Sequence, residues 1–183
     1  MLDKKNTVIL VAIEEELPQK LMPEWKIIYT GVGKVNAAIS ISEAYFKLKP
    51  KTFINYGSAG SLSKNITGLQ QVIEFKQRDM DARQMGFPLG ETPYDEVSTI
   101  NFTGNGVSCS TGDNFVSAKP EIETDIVDME SYSYAKFCLK HNVNFYCYKY
   151  ISDNANEIAS NDWINNFSKG SSLFIDKINS RIL

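Results

Sequence analysis

Histidine is nearly absent: one, His141, in 183 residues. Cysteine is sparse as well. Cys109, Cys138 and Cys147 make an odd count without metal-ligand spacing, which fits a reduced, cytoplasmic compartment better than a disulfide scaffold. No metal site is read. His141 stands at the end of a predicted helix, where it suits the C-terminal dipole, and is given no catalytic role. Long apolar runs are missing. Val8 to Ile13 is too short to cross a membrane, meets three glutamates at once and lacks a small-residue cleavage site, so neither a span nor a signal peptide is expected. Clustered basic residues are missing too, and acidic side chains exceed basic ones by 22 to 19, which argues against nucleic acid or an anionic membrane as partner. Gly33-Lys34 is not a phosphate-binding P-loop, because Ile28 and Val35 stand where that motif needs Gly and Ser or Thr.

What is present reads as one soluble domain over residues 1–183, with 43% hydrophobic and 22% charged residues and enough chain to bury a core. Thr7 to Ile13 (TVILVAI) is the continuous aliphatic run of a strand buried on both faces, and it delivers Glu14, Glu15 and Glu16 at its carboxyl end. Taken alone, such a triplet suits a solvated first helical turn. Trp25 to Thr30 predicts a second strand, and Lys34 onward a helix with Val35, Ala38, Ile39, Ile41, Ala44, Tyr45 and Leu48 at helical spacing. After Pro50, Lys51 to Tyr56 predicts a buried strand running into a small-residue turn, Gly57 to Ser61, where backbone amides can approach a ligand. Gln70 to Phe75 and Gly106 to Ser110 are further strands, separated by a long polar, turn-rich loop that is functional or mobile. Phe115 and Val116 follow a turn and either meet a planar ligand or pack in the core. Asn161 to Ile182 predicts one closing amphipathic helix with Ser160 or Asn161 as N-cap.

Ile126 to Asn156 carries the most chemistry. A short apolar run ends in Asp128 and Glu130, a helix follows to His141, and an aromatic-rich strand from Asn144 ends at Asp153. Ligands of open α/β sheets bind just past the carboxyl ends of strands, so the intervening helix puts Glu130 and Asp153 on one rim. Interleaved strands and helices predict an α/β fold: three layers, with a central mixed β-sheet flanked by helices.

Several segments, in order from end to end, resemble the 5′-methylthioadenosine/S-adenosylhomocysteine nucleosidases of the nucleoside phosphorylase superfamily. They read AIEEEL (residues 12–17), GVGKVNAA (31–38), INYGSAGSL (54–62), STGDNFV (110–116), VDMES (127–131), YISDNAN (150–156) and NDWINNF (161–167). The resemblance implies that Glu16 activates the attacking water, Asp153 protonates adenine N7 with Ser152 beside it holding the base, and Glu130 binds the ribose hydroxyls. It implies further that Met129 packs on the sugar, Phe115 stacks on adenine, and Val116 offers its backbone to the base edge. Ser58 lies near water and ribose, and Ile13, Trp163 and Phe167 line the 5′ pocket. Met85 and Pro93 correspond to positions given to a neighbouring subunit's pocket, which implies a homodimer. A small-molecule nucleoside is the implied partner, and no cofactor is needed. Against the family pattern the chain is shortened between Leu17 and Gly31 and between Tyr94 and Gly106, where a helix is expected to be missing.

The residue types suit that chemistry independently. Adenine is a poor leaving anion and must be protonated as it departs, which needs an acid whose pKa is raised by burial or neighbouring carboxylates. The sugar becomes cationic and is stabilised by carboxylates such as Glu16 and Glu130. Superfamily phosphorylases hold phosphate with arginines, one just before the Gly-Ser turn, where this chain has Asn55 and Tyr56. An anionic nucleophile beside Glu16 would be repelled, so water is favoured. A phosphorylase and an inactive nucleoside-binding module stand as the alternatives. Arg78 and Arg83 either meet an anionic substituent or are solvated loop residues.

Overall fold

The computed structural model describes residues 2–156 and 159–181. Its elements in order are β1 (Thr7–Val11), β2 (Lys26–Tyr29), α1 (Lys34–Leu48), β3 (Thr52–Ser61), β4 (Leu69–Gln77), β5 (Ile100–Asn101), β6 (Val107–Thr111), β7 (Ile126–Asp128), α2 (Ser131–His141), β8 (Asn144–Asp153), α3 (Ala159–Asn166) and α4 (Ser171–Asn179). The mixed α/β architecture expected from the interleaved pattern is present. One sheet runs β2-β1-β3-β7-β6-β4-β5, and β8 pairs with both β3 and β4. That double pairing has a geometric consequence. β3, β8, β4, β6 and β7 each hydrogen-bond to the next, and β7 returns to β3 through Gly60 and Ser61, so five strands close into a ring.

All five residues of β1 are buried, and successive side chains enter opposite layers. Val8 and Leu10 pack with Ala37, Ile41 and Ala44 of α1 and with Tyr134, Ala135 and Cys138 of α2. Ile9 and Val11 pack with Leu17, Trp25 and the α4 residues Phe174 and Ile178, where Phe174 stacks on Tyr56 at 4.3 Å between ring centroids. Each such side chain contributes about 1.5–3 kcal/mol on burial. α1 turns its small residues inward, which leaves Val35, Ile39 and Phe46 on its outer face, each more than half exposed.

Four expectations from the sequence are corrected. Gly57 to Ser61 is not a turn: β3 runs through it, paired with β8 as far as Gly60 and with β7 at Gly60 and Ser61, because small residues let the strands approach with acidic side chains lying over them. The closing segment is not one helix. Between α3 and α4 the chain tightens into a 3-10 turn, Phe167–Gly170, where a Cβ on Gly170 would clash with the Tyr150 ring. Ser160 and Asn161 lie inside α3 rather than capping it, and Ile182 falls outside the described residues. Arg78, offered as a loop residue meeting a ligand's anion or solvent, is buried. Residues 95–106 hold only the short β5, with no helix, as the shortened pattern suggested.

Candidate active site

The carboxyl ends of β1, β3, β7 and β8 surround a cavity of about 360 Å³, closed on another side by α3 and by the turn after β6. Besides Asp128, three acids reach it. The first comes from the glutamate triplet, which folds as a 3-10 turn pinned by the fully buried Leu17; Glu14 and Glu15 stay outside and Glu16 turns inward, 4% exposed. Its Oε1 accepts the Ser58 backbone N–H at 2.7 Å and the Ser58 hydroxyl at 2.6 Å, while Oε2 is buried with no partner among the described residues. Burial pushes the Glu16 carboxyl above its ordinary range, and the Ser58 hydroxyl and Lys149 pull it part of the way back.

Glu130 sits between β7 and α2, with Oε1 accepting the Gly33 N–H at 2.9 Å. Burial, with repulsion from Asp128 and Glu16, pushes it up to about 7 against the pull of Lys149. Asp153 ends β8. A shift in register between Ala59 and Gly60 sets it opposite Gly60, where a Cβ would lie 2.7 Å from its Oδ1. Oδ1 accepts the Ala155 N–H and Oδ2 the Ser152 hydroxyl, each at 2.8 Å. Burial raises the Asp153 carboxyl despite these donors, and Asp162 adds repulsion.

Two cations surround the cavity, Arg78 on its wall and Lys149 behind the lining. Lys149 of β8 is 1% exposed and bonds Asp128 Oδ2 at 2.8 Å. Asp128 also accepts the Thr111 hydroxyl and the Ser131 N–H. Burial alone would raise Asp128; the ammonium and these hydrogen bonds outweigh it and hold the carboxyl below its ordinary value. Arg78 spans four backbone carbonyls, those of Ser110, Asp128, Gly112 and Asn114, at 2.6–3.0 Å. It thereby ties the turn before Phe115 to the end of β7. Gly112 is required beneath it, since a Cβ there would meet the guanidinium at 3.0 Å. Arg83, by contrast, is half exposed and paired with Asp81 and Glu121.

No family model matches the chain. A Staphylococcus aureus protein named 5′-methylthioadenosine/S-adenosylhomocysteine nucleosidase is 30% identical to it, in a match covering 71% of this chain and 68% of that one. The chain belongs to this nucleosidase family. Two solved structures share its fold. One is a Helicobacter pylori nucleosidase mutant with 5′-methylthioadenosine in its active site (TM-score 0.88, 22% identity, 99% of this chain and 100% of that one). The other is the native futalosine hydrolase of the same species (TM-score 0.86, 23% identity, 96% and 97%).

Of the residues singled out by resemblance to the nucleosidase family, Ile13, Glu16, Ser58, Phe115, Val116, Met129, Glu130, Asp153 and Trp163 all line the one cavity. Ser152 does not: its hydroxyl lies behind the wall, on Asp153 and the Ala59 carbonyl. Phe167 also stands back, stacked on Trp163 at 4.8 Å. Phe115 is 47% exposed at the mouth, while Val116 is buried against Val127 and Ala155 and still lines the cavity, so it answers to both alternatives. Sequence reasoning missed Lys149 as a charge partner, although a lysine inside the apolar strand FYCYKYIS signals a buried cation that needs an acid. It missed Val32 and Ile164 on the wall, which carry no chemical signature.

Proposed function

We propose that residues 1–183 act as one unit, an N-glycosyl hydrolase that releases adenine from 5′-modified adenine nucleosides such as 5′-methylthioadenosine and S-adenosylhomocysteine. The observation that carries this reading is a nucleoside-sized cavity lined by four buried carboxylates of unequal environment, of which Asp128 is paired with Lys149 and Glu16, Glu130 and Asp153 are not. Asp153, raised by burial, donates a proton to adenine N7 as the C1′–N9 bond breaks and its electron pair leaves with the base. Glu130 accepts the ribose hydroxyls and stabilises the cationic sugar. Water adds to C1′ and gives its proton to Glu16, whose Oε2 has no other partner. Phe115 stacks on adenine, the Val116 backbone meets the base edge, and Met129 packs on the sugar. Ile13, Trp163 and Ile164 surround the 5′ substituent. Ser152 acts on the base only through Asp153.

Two features favour water over phosphate. The cations at the cavity are already committed, Lys149 to Asp128 and Arg78 to carbonyl oxygens, and Glu16 and Glu130 would repel an anion. An adenine-release assay on several 5′-substituted nucleosides, with and without phosphate, tests the assignment. Asp153→Asn retains nucleoside binding and loses turnover on the order of 10²–10⁴-fold; near-normal hydrolysis by that variant overturns the acid assignment, and phosphate-dependent release overturns the hydrolase.

The protein acts as a homodimer in the cytoplasm. The outward apolar side chains Val35, Ile39 and Phe46 of α1 and Leu139 of α2 support a second copy as their cover, as does the exposure of Met85, which together with Pro93 corresponds to positions that the family gives to a neighbouring subunit's pocket. The free, buried state of all three cysteines suits a reducing compartment. No helix among the described residues is long and apolar enough to cross a membrane. Sedimentation velocity at micromolar concentration gives a dimer mass; a monomer there removes the partner's part in the site.

A further inference from the structure

We propose that Trp163 is a positioning residue for the water-activating carboxylate: its indole N–H fixes the Ser58 hydroxyl as a donor to Glu16, which leaves Glu16 Oε2 as the one free basic oxygen. The proposal rests on the reading of Glu16 as the base. It starts from a hydrogen-bond chain joining residues 105 positions apart, in which Trp163 Nε1 donates to Ser58 Oγ at 2.8 Å and Ser58 Oγ donates to Glu16 Oε1 at 2.6 Å.

The direction of that chain is forced by donor and acceptor inventory. An indole N–H can only donate, and a hydroxyl carries one hydrogen. With Ser58 Oγ accepting from Trp163, the hydroxyl hydrogen is turned away from the indole and onto Glu16 Oε1. That oxygen also takes the Ser58 N–H at 2.7 Å, so it holds two donors. Oε2 holds none, and it is buried, an arrangement that costs free energy unless a ligand or water completes it. The two oxygens of one carboxylate are thus made unequal, one an anchor and one a base. Were the indole N–H absent, the Ser58 hydroxyl would be a less polarised donor and would stabilise the ionised Glu16 less.

Trp163 is suited to this on two further grounds. It lies on the cavity wall beside Ile164, so the ring that packs against the 5′ end of the nucleoside also sets the base. It is held from behind by Phe167, stacked with an interplanar angle of 22°, which fixes where the N–H points. The charged and titratable groups facing Glu16 from the surrounding elements are Lys149 on β8, Asp128 ending β7, Glu130 beyond it and Tyr56 on β3. Trp163→Phe touches none of them.

The test is the pH profile of kcat/KM for 5′-methylthioadenosine in wild type, Trp163→Phe, Ser58→Ala and the double variant. Phe keeps a ring on Phe167 and removes the N–H together with part of the indole, a packing loss that does not vary with pH and so leaves the position of the limb to report on the N–H. The base must be ionised, and without the indole Glu16 ionises less readily, so the acidic limb of Trp163→Phe moves to higher pH. Activity at acid pH falls about threefold more than activity at the alkaline end, the size of a cooperative strengthening lost from one hydrogen bond. In the Ser58→Ala background, where the link is already cut, Trp163→Phe moves the limb no further. A uniform loss across pH, or the same limb shift with Ser58 already removed, overturns the proposal. Glu16→Gln separates the two ideas: a dead Glu16→Gln beside a Trp163→Phe of unchanged profile refutes the positioning role alone, whereas a fully active Glu16→Gln refutes the base assignment and this proposal with it.

Discussion

Replacing Lys149 with Met removes the ammonium that holds Asp128 and leaves a similar volume of side chain. Both partners are 1% exposed and 2.8 Å apart, so this is a fully desolvated pair. Removing one member strands the other charge and costs about 3–5 kcal/mol, a large part of the roughly 5–15 kcal/mol that holds a domain of this kind folded. For a chain of about this size each kcal/mol lowers Tm by roughly 2–4 °C, so the expected fall is on the order of 6–20 °C.

The pH dependence identifies the cause. In the wild type the Asp128 carboxyl lies below its ordinary value of 3.8, so the pair stabilises the fold above that pH, and the contribution is lost as pH falls through the folded value. In Lys149→Met burial dominates, the folded Asp128 rises above the ordinary value, and the penalty is greatest at neutral pH and relieved by acid. The gap in Tm between the two proteins, followed by circular dichroism, therefore narrows as pH falls from 8 towards 4.5. A second substitution, Asp128→Asn in the Lys149→Met background, recovers more than half of the loss at pH 7, because a neutral amide carries no stranded charge, keeps the Ser131 N–H on its oxygen and turns its NH2 to the Thr111 hydroxyl as donor. A Tm gap that does not vary with pH, or a double variant no more stable than the single one, refutes the electrostatic account and leaves a packing defect.

Two further substitutions probe the wall of the site. Gly60→Ala drives a methyl group to within 2.7 Å of Asp153 Oδ1, with Val127 and Ala155 blocking retreat at 3.2 Å. Displacement of the acid lowers kcat on the order of 10²-fold for a stability loss of about 1–3 kcal/mol, and a variant with normal kcat shows that Asp153 need not stay where it is. Arg78→Lys cannot reach four carbonyls with one ammonium. It loosens the turn before Phe115 and raises KM on the order of tenfold, equal to about 1.4 kcal/mol of binding; an unchanged KM means the guanidinium is structural only.

The legibility of the fold follows from how locally each feature is encoded. β1 and the aromatic strand β8 announce themselves because continuous apolar runs have few other uses. Closure of the sheet is not legible, since it depends on β8 serving two neighbours, β3 and β4, through residues 69–72 and 147–150 that look like ordinary strand. Gly57 to Ser61 was read as a turn because small residues are common in turns, yet here they continue a strand beneath side chains that need the space. Glu16, Glu130 and Asp153 were found through ordered motifs of the family rather than through spacing, because nothing in a glutamate triplet says which member turns inward. That choice is made by Leu17, buried completely one residue later. Arg78 was misread for a related reason: a polar, turn-rich stretch gives no hint that four carbonyl oxygens from two other segments converge on its guanidinium.

The charges of the site are ordered by one lysine. Lys149 is buried near Asp128, Glu130 and Glu16, but it touches only Asp128, which takes up its charge in contact. Glu16 and Glu130 receive the remaining, longer-range attraction, which is weaker than the burial raising them both. Glu130 in particular stays raised, to about 7, because burial outweighs that attraction. In the proposed mechanism a cationic sugar forms between the two glutamates and replaces the counter-charge that Lys149 gives elsewhere, so the carboxylates would be better satisfied in the transition state than in the empty cavity. Stabilisation that grows along the reaction is what accelerates a chemical step. On this argument, bringing Lys149 into contact with Glu130 instead of Asp128 would satisfy the glutamate before the reaction began, and would slow turnover while leaving substrate affinity largely intact.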